Sequence, residues 1–171
     1  MDNPGVYHQD FFTFKTFRSE TFTQYFPYIY KIMMSTSKPI SILLVDDDEI
    51  NNFISIKLIK KALVYTEINA CLDGSYAINQ LVELQEKDPD SLPDYILLDI
   101  NMPIMNGWEF LDEYKRLGLD KHEKTKIYII SSSVFSNDIN KAKSYDLVKD
   151  FISKPLNVDK IKDLFAFERT I

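Results

Sequence analysis

Short apolar runs alternate with amphipathic stretches from Pro39 to the end of the chain. This alternation is typical of strand–helix units that build a parallel sheet. Five apolar runs predict the strands Ile40–Val45, Tyr65–Cys71, Tyr95–Leu98, Ile127–Ile130 and Asp150–Ser153. Most of these runs are continuously apolar, as in strands that helices cover on both faces. We therefore predict an α/β domain with a doubly wound, five-stranded parallel sheet flanked by helices.

The stretches between the strands place apolar residues at helical spacing, which predicts helices that cover the sheet. The expected sheet-facing stripes are Ile50, Phe53, Ile54 and Leu58, then Ala77, Ile78, Leu81 and Val82, then Phe110, Leu111, Tyr114 and Leu117. Gly107 is expected to open the third helix. The last helix should run from the N-cap Asn157 to about Phe167, with the stripe Val158, Ile161 and Phe165.

The first 38 residues differ in composition from the rest of the chain. They hold ten aromatic residues but show no sustained helical or strand periodicity. They also lack the pattern of a secretory signal peptide. We interpret residues 1–38 as an extension outside the domain, and residues 39–168 as the domain. Two explanations of the extension stay open: a physiological start at Met33 or Met34, or an arm that binds a partner.

Composition and charge narrow the class of protein. With 45% hydrophobic and 27% charged residues, the chain has the composition of a soluble globular protein. A net charge of −6 argues against direct binding of nucleic acid. No apolar stretch approaches the length of roughly 18 residues that is needed to cross a membrane, so we expect a cytoplasmic protein. The single cysteine, Cys71, lies in an apolar run and is expected to be a buried, reduced thiol.

Carboxylates follow two of the predicted strands. Asp46, Asp47 and Asp48 follow the first strand, and Asp99 follows the third. The carboxyl ends of parallel strands meet at one edge of a sheet, which is also where ligands bind in such folds. Clustered carboxylates repel one another unless a cation neutralises them, and hard oxygen ligands favour Mg²⁺, for which Mn²⁺ can substitute. The two histidines are isolated and a single cysteine is too few, so no zinc site is expected.

The fourth and fifth strands end in groups that complement these carboxylates. Three consecutive serines, Ser131, Ser132 and Ser133, follow the fourth strand, and Lys154 follows the fifth. A hydroxyl and an ammonium can donate hydrogen bonds to the oxygens of an acyl phosphate that forms on a carboxylate. Each group alone has an ordinary explanation, since Asp48 is an expected helix N-cap and serines are common in turns. The four groups together predict a site for phosphoryl transfer.

Three segments, Ile42–Asp47, Leu98–Pro103 and Ser153–Pro155, together with Gly107, resemble the response-regulator receiver domains of two-component signalling systems. The resemblance spans about residues 39–168 and implies the flavodoxin-like strand order 2-1-3-4-5. It implies a phosphorylation-dependent switch that catalyses only its own phosphorylation and dephosphorylation. Asp99 would be the phosphoacceptor. The ligands of Mg²⁺ would be Asp46, Asp47, Asp99 and the backbone carbonyl of Asn101.

The resemblance assigns further roles at the strand ends. Lys154 would bind the phosphoryl oxygens, and the peptide bond that follows it, to Pro155, would be cis. The switch hydroxyl would be Ser131, with Ser132 as the alternative. The remaining family positions are the switch aromatic residue Phe151 and two residues that tune the lifetime of the phosphoryl group, Asn101 and Ser133. One departure is the segment Tyr145–Lys149, which looks one residue longer than is usual in the family.

The resemblance also implies partners, namely a sensor histidine kinase or a histidine phosphotransfer protein. Few residues follow the last helix, so we expect a stand-alone receiver that acts through protein contacts. It could be a regulator, a relay intermediate or a phosphate sink. Homodimerisation through the face between the fourth and fifth helices is a hypothesis. Two alternative functions remain: an unphosphorylated scaffold, and a phosphohydrolase with Asp46 as nucleophile and Asp48 as acid. The phosphohydrolase leaves Asp99 without a role.

Overall fold

Within the described part of the unit that begins at Pro39, one parallel sheet of five strands lies at the centre. The strands pair in the order β2-β1-β3-β4-β5. They are β1 (Ile40–Val45), β2 (Thr66–Cys71), β3 (Tyr95–Leu98), β4 (Lys126–Ser131) and β5 (Val148–Ser153). The helices are α1 (Glu49–Ala62), α2 (Gly74–Lys87), α3 (Gly107–Arg116), α4 (Ser136–Lys143) and α5 (Val158–Leu164), with a 3₁₀ turn at Pro89–Ser91. The predicted fold class and strand order are confirmed.

The structure is a computed structural model, and it describes residues 38–63, 65–120, 123–133 and 135–166. The hypotheses for residues 1–37, including a start at Met33 or Met34, lie outside the described residues. The last helix was predicted to run to about Phe167, but it ends at Leu164, with Phe165 as its C-cap. No helix in the described ranges is long and apolar enough to span a membrane.

Two apolar layers, one on each face of the sheet, form the core. In β3 every residue is buried, and alternate side chains enter opposite layers. Helices α2 and α3 cover one face, where the predicted stripes of both helices pack. Helices α1 and α5 cover the other face, where Ile161 of α5 and Phe165, the residue that caps its C-terminus, are fully buried. The predicted stripes of α2 and α3 are therefore confirmed, and that of the last helix is confirmed for Ile161 and Phe165, whereas Val158 is only half-buried. A strand covered on both faces explains the continuous apolar run.

Three of the four residues in the predicted stripe of α1 are wrong, and only Leu58, which is half-buried, packs against the core. Ile50, Phe53 and Ile54 are exposed, with 69%, 61% and 47% of their surface accessible. The side of α1 that faces the sheet instead carries Asn52 and Ile59, spaced seven residues apart and both buried. The prediction failed because it treated every apolar residue as core and every polar residue as surface, whereas a polar residue occupies a buried position of this helix.

An extra residue in β5 is accommodated by an irregularity of the sheet. Ile127 pairs with Val148, but the next residue, Tyr128, pairs with Asp150, so Lys149 has no partner in β4. Such a bulge places two residues of one strand opposite one residue of its neighbour. The unpaired residue lies in the segment Tyr145–Lys149 that looked long in the sequence, and β5 begins two residues earlier than predicted.

The start of α3 lies directly against the backbone that follows β3. Asn106 caps the helix and Glu109 completes a capping box. A Cβ atom at Gly107 would lie 2.5 Å from the carbonyl oxygen of Asp99 and 2.7 Å from the Cα atom of Ile100. Since real Cβ atoms do not approach backbone atoms so closely, only glycine fits here without a shift of the chain. The predicted opening of this helix at Gly107 is confirmed.

Candidate phosphoryl-transfer site

Carboxylates from β1 and β3 meet at the carboxyl edge of the sheet. Asp46, Asp47 and Asp99 each place a carboxylate oxygen within 4.8 Å of the other two. Asp46 and Asp99 are buried, with 8% and 6% of their surface accessible, whereas Asp47 is exposed. The neighbouring β1 and β3 bring these residues together, because Val45 pairs with Leu98 and both chains leave the sheet at the next residue. The predicted acidic cluster therefore exists.

Asp99 is held at both of its carboxylate oxygens. Its Oδ1 accepts a hydrogen bond from the backbone N–H of Asn101 at 3.0 Å. Its Oδ2 accepts from the ammonium Nζ of Lys154 at 2.5 Å. The backbone N–H of Asp99 donates to the carbonyl of Val45 at 2.8 Å, which ties the residue to β1. Asp99 thus has a fixed orientation at the centre of the site.

Lys154 bridges two of the three carboxylates. Its Nζ lies 2.6 Å from Asp46 Oδ2 as well as 2.5 Å from Asp99 Oδ2. Burial by itself lowers the pKa of Lys154, but the hydrogen bonds to the two carboxylates outweigh this effect and raise the pKa above its usual value. The backbone N–H of Lys154 donates to the carbonyl of Ser131 at 2.8 Å, so β4 fixes its position. Lys154 is therefore a charged donor within the site.

Asp47 differs from its two acidic neighbours. It makes no hydrogen bond or ion pair with any other described residue, and its side chain is exposed. Lys154 therefore balances only part of the charge of the cluster. Three carboxylates and one ammonium leave a net negative site made of oxygen ligands, which suits a hard divalent cation better than zinc.

The three consecutive serines Ser131, Ser132 and Ser133, the first of which ends β4, have different environments. Ser131 is fully buried, and its Oγ accepts hydrogen bonds from Asn101 Nδ2 and from the backbone N–H of Ser133, each at 3.2 Å. Ser132 is exposed at the rim of the site. The hydroxyl of Ser133 donates to the carboxylate of Asp138 in α4. Of the two candidates for the switch hydroxyl, Ser131 is the one whose hydroxyl contacts a residue of the acidic site.

The side chain of Asp48 binds the start of α1 and does not take part in the acidic cluster. Its Oδ1 accepts from the backbone N–H groups of Ile50 at 2.8 Å and Asn51 at 3.2 Å, so it is the N-cap of α1. The expected capping role is therefore confirmed. A side chain engaged in this way is poorly placed to act as a catalytic acid, which counts against the phosphohydrolase alternative.

Comparison with known proteins identifies the family. The family model of the response regulator receiver domain matches residues 42–166. The chain belongs to this family. Receiver domains of response regulators are signalling modules that work with histidine kinases or phosphotransfer proteins, and some are parts of larger enzymes.

Individual relatives agree with this assignment. A two-component response regulator from Cytophaga hutchinsonii, known from its crystal structure, is 36% identical, with a TM-score of 0.69 and coverage of 77% of this chain and 97% of that one. The two-component response regulator ORR41 of Oryza sativa subsp. japonica is 28% identical over 75% of this chain and 94% of its own length. The protein-glutamate methylesterase/protein-glutamine glutaminase of Treponema pallidum is 31% identical over 71% of this chain. The chain spans only 28% of that enzyme's length, so its activity does not transfer.

Two further positions that the resemblance named lie in β5 and directly after it. Phe151 in β5 is half-buried and packs against the core layer that contains α2 and α3. The Lys154–Pro155 peptide bond is cis, as the resemblance implied. An open cleft of about 310 Å³ adjoins Lys154 between α1 and the loops that follow β4 and β5. It is lined by Asn51, Ile54, Ser55, Ser132, Lys154, Pro155 and Leu156.

One residue of the receiver site was missed by the sequence analysis. Asn52 of α1 is buried, with 5% of its surface accessible, and its Nδ2 donates to the backbone carbonyl of Asp46 at 2.8 Å. A signal was present in the sequence, because Asn52 lies seven residues before the apolar Ile59 and so on the same side of the helix. Only the exposure of Ile50, Phe53 and Ile54 shows that this side faces the sheet.

Proposed function

We propose that this receiver domain accepts a phosphoryl group on Asp99 from a phosphohistidine of a histidine kinase or phosphotransfer protein, in a reaction that requires Mg²⁺. The observation that carries the proposal is the placement of Asp99 between Lys154 and two further carboxylates, Asp46 and Asp47. An arrangement of a nucleophile, a charged donor and a partly unbalanced acidic cluster has a direct use in phosphoryl transfer.

The residues present fit a magnesium ion. The candidate ligands are the carboxylates of Asp46, Asp47 and Asp99 and the backbone carbonyl of Asn101, all of them oxygen donors. Mg²⁺ is commonly held by one or two carboxylates together with waters and phosphate oxygens. When bound, the ion supplies positive charge that Lys154 alone does not provide. The carboxylate of Asp47, which has no partner among the described residues, would be free to bind it.

The chain's own groups account for the remaining steps. A carboxylate oxygen of Asp99 attacks phosphorus, the P–O bond forms, and the P–N bond to the donor imidazole breaks with its electron pair on nitrogen. Lys154 neutralises charge on the transferred oxygens, while the N–H of Asn101 keeps the carboxylate oriented. Hydrolysis of the acyl phosphate later restores Asp99, and Asn101 and Ser133 tune its rate.

We further propose that phosphorylation changes the face formed by α4, β5 and α5. The Ser131 hydroxyl, now held by Asn101 and the N–H of Ser133, would turn to a phosphoryl oxygen. Its departure would alter the segment before α4 and the packing of Phe151, which lies in the neighbouring strand. A partner that binds only one of the two arrangements would then read the state of Asp99.

The decisive experiment measures intact mass after incubation with acetyl phosphate. We expect the mass of one phosphoryl group to be added in the presence of Mg²⁺, little addition in EDTA, and none in an Asp99→Asn variant. Asp48→Asn is the matched control, because it removes a neighbouring carboxylate that caps a helix and asparagine is an equally good N-cap.

The possible outcomes separate the alternatives. No adduct on the wild-type protein, with or without Mg²⁺, would favour the unphosphorylated scaffold. An adduct that persists in Asp99→Asn but disappears in Asp46→Asn would favour the phosphohydrolase with Asp46 as nucleophile. Retention of the adduct in Asp48→Asn is expected under our proposal, because Asp48 takes no part in the site.

A further inference from the structure

We infer that Asn52 is a positioning residue that fixes the peptide between Asp46 and Asp47 and so aims the candidate metal ligand Asp47. The inference rests on the proposed function, since it concerns the same acidic site. It begins from an anomaly in the fold, a buried amide on the side of α1 that otherwise packs apolar residues against the sheet. Buried polar groups are costly unless they are hydrogen-bonded.

The partner of this amide explains its burial. At the end of β1 the backbone N–H of Asp46 still pairs with the carbonyl of Cys71 in β2, at 3.1 Å. The carbonyl of Asp46 leaves the sheet and accepts instead from Asn52 Nδ2, at 2.8 Å within the buried region. Without Asn52 this carbonyl would lose the one hydrogen bond that it has among the described residues. The Asn52 side chain therefore supplies the hydrogen bond that a neighbouring strand would provide if β1 continued.

The same peptide determines where Asp47 points. The Asp46 side chain has its own restraints, from Lys154 and from the backbone N–H of Asp48 at 3.0 Å. The Asp47 side chain has no partner among the described residues, so its direction depends on the backbone alone. A rotation of the peptide plane would swing Asp47 away from Asp46 and Asp99. Asn52 thus acts on metal binding through Asp47, without touching the metal itself.

Two substitutions separate positioning from packing and from charge. Asn52→Leu keeps the branching and the number of heavy atoms of the side chain but removes the donor, at the cost of a somewhat larger volume. Asn52→Asp keeps the shape and adds a negative charge, which by electrostatics alone would strengthen the binding of a cation. Ile59→Val is the control, because Ile59 lies on the same side of α1, is fully buried and has an aliphatic side chain that donates no hydrogen bond. Circular dichroism and urea unfolding establish that each variant is folded at the temperature used.

The readout is the dissociation constant of the metal alone. Free Mn²⁺ is counted by electron paramagnetic resonance, and Mg²⁺ affinity follows from competition. Loss of residues that support metal ligands typically weakens binding by about 10- to 100-fold, and we expect about tenfold for both Asn52 variants. Ile59→Val should stay within about twofold of wild type, because separated sites act independently.

Two results would overturn the inference: unchanged affinity in both Asn52 variants, or an equal loss of affinity in Ile59→Val. A loss in Asn52→Asp carries the argument even if Asn52→Leu fails to fold, since it runs against the added charge. A wild-type protein that binds neither Mn²⁺ nor Mg²⁺ would instead refute the proposed metal site, and that failure is recognised before any variant is compared.

Discussion

The unpartnered carboxylate of Asp47 leads to a prediction about stability. Asp47 lies within 4.8 Å of two other carboxylates, and Lys154 forms its ion pairs with those two and not with Asp47. In the absence of a divalent cation this carboxylate is therefore repelled by its neighbours. We predict that Asp47→Asn stabilises the metal-free protein while it weakens the binding of Mg²⁺.

The size of the effect follows from Coulomb's law. Two like charges 4.8 Å apart repel by about 1 kcal/mol in a medium like water and by about 3.5 kcal/mol at an effective dielectric constant of about 20. Asp47 is exposed, so the lower figure applies, and the positive charge of Lys154 offsets part of the sum. We expect Asp47→Asn to raise the free energy of unfolding by about 0.5–1.5 kcal/mol at neutral pH and low salt.

The assay is urea unfolding of wild type and Asp47→Asn, with EDTA and with Mg²⁺. In EDTA the variant should have the higher midpoint, and the advantage should shrink as salt screens the repulsion. When the free Mg²⁺ concentration is ten times its dissociation constant, binding raises the free energy of unfolding of the wild type by about 1.4 kcal/mol. The midpoints of the two proteins should then become equal or change order. Asp48 is an adjacent carboxylate that caps α1. The control Asp48→Asn should therefore show neither the higher midpoint in EDTA nor the smaller gain with Mg²⁺.

The reasoning would be refuted if Asp47→Asn were less stable than wild type in EDTA. It would also be refuted if Mg²⁺ stabilised both proteins equally. The first result would mean that Asp47 has a stabilising contact, and the second that Asp47 is not a ligand.

Further predictions concern Lys154, Gly107 and Cys71. The raised pKa of Lys154 means that its contribution to stability is fully present below about pH 10.5, the usual value, and is lost as the pH rises through the higher folded-state pKa. The stability difference between wild type and Lys154→Met should therefore be constant between about pH 7 and 9, and a decline in that range would contradict the ion pairs. Gly107→Ala should lower the free energy of unfolding by about 1–3 kcal/mol, which exceeds the stability gained from the higher helix propensity of alanine, and it should slow phosphorylation of Asp99. Unchanged stability and rate would show that the close approach of the backbone is relieved without cost. Burial, together with the charge of nearby Asp73, raises the pKa of the Cys71 thiol. A disulfide reagent at about pH 8 should therefore react far more slowly with the native protein than with the urea-unfolded protein. Equal rates would place Cys71 at the surface.

Local patterns were sufficient where one cause dominated the structure. A strand covered on both faces must be apolar throughout, so β3 was predicted with the bounds it has, and β1 likewise. Asp48 and Asn157 were predicted as N-caps because their side chains satisfy backbone donors next to them in sequence. The acidic cluster could be predicted because parallel strands bring their carboxyl ends to one edge, whatever the details of packing.

Other features depended on contacts between distant parts of the chain. The face of α1 that meets the sheet could not be chosen from spacing, because Asn52 gains its burial from a carbonyl at the end of β1. Only the pairing of β5 with β4 shows that Lys149 lies at an irregularity of the sheet. The three serines at the end of β4 look alike in sequence, and their separate environments come from Asn101 and Asp138.

The sequence by itself determined the fold class and the types of group at each strand end, since these follow from periodicity and from chain direction. Only the tertiary structure decided how those groups divide their roles. Lys154 forms ion pairs with Asp46 and Asp99, and Asp47 has no partner among the described residues. Asp48 caps helix α1, and the backbone carbonyl of Asp46 accepts a hydrogen bond from the buried amide of Asn52. The physical reason is that hydrogen bonds and charge pairs act over a few ångströms, and distances of that kind between β1, β3 and β5 are set by folding and not by spacing along the chain.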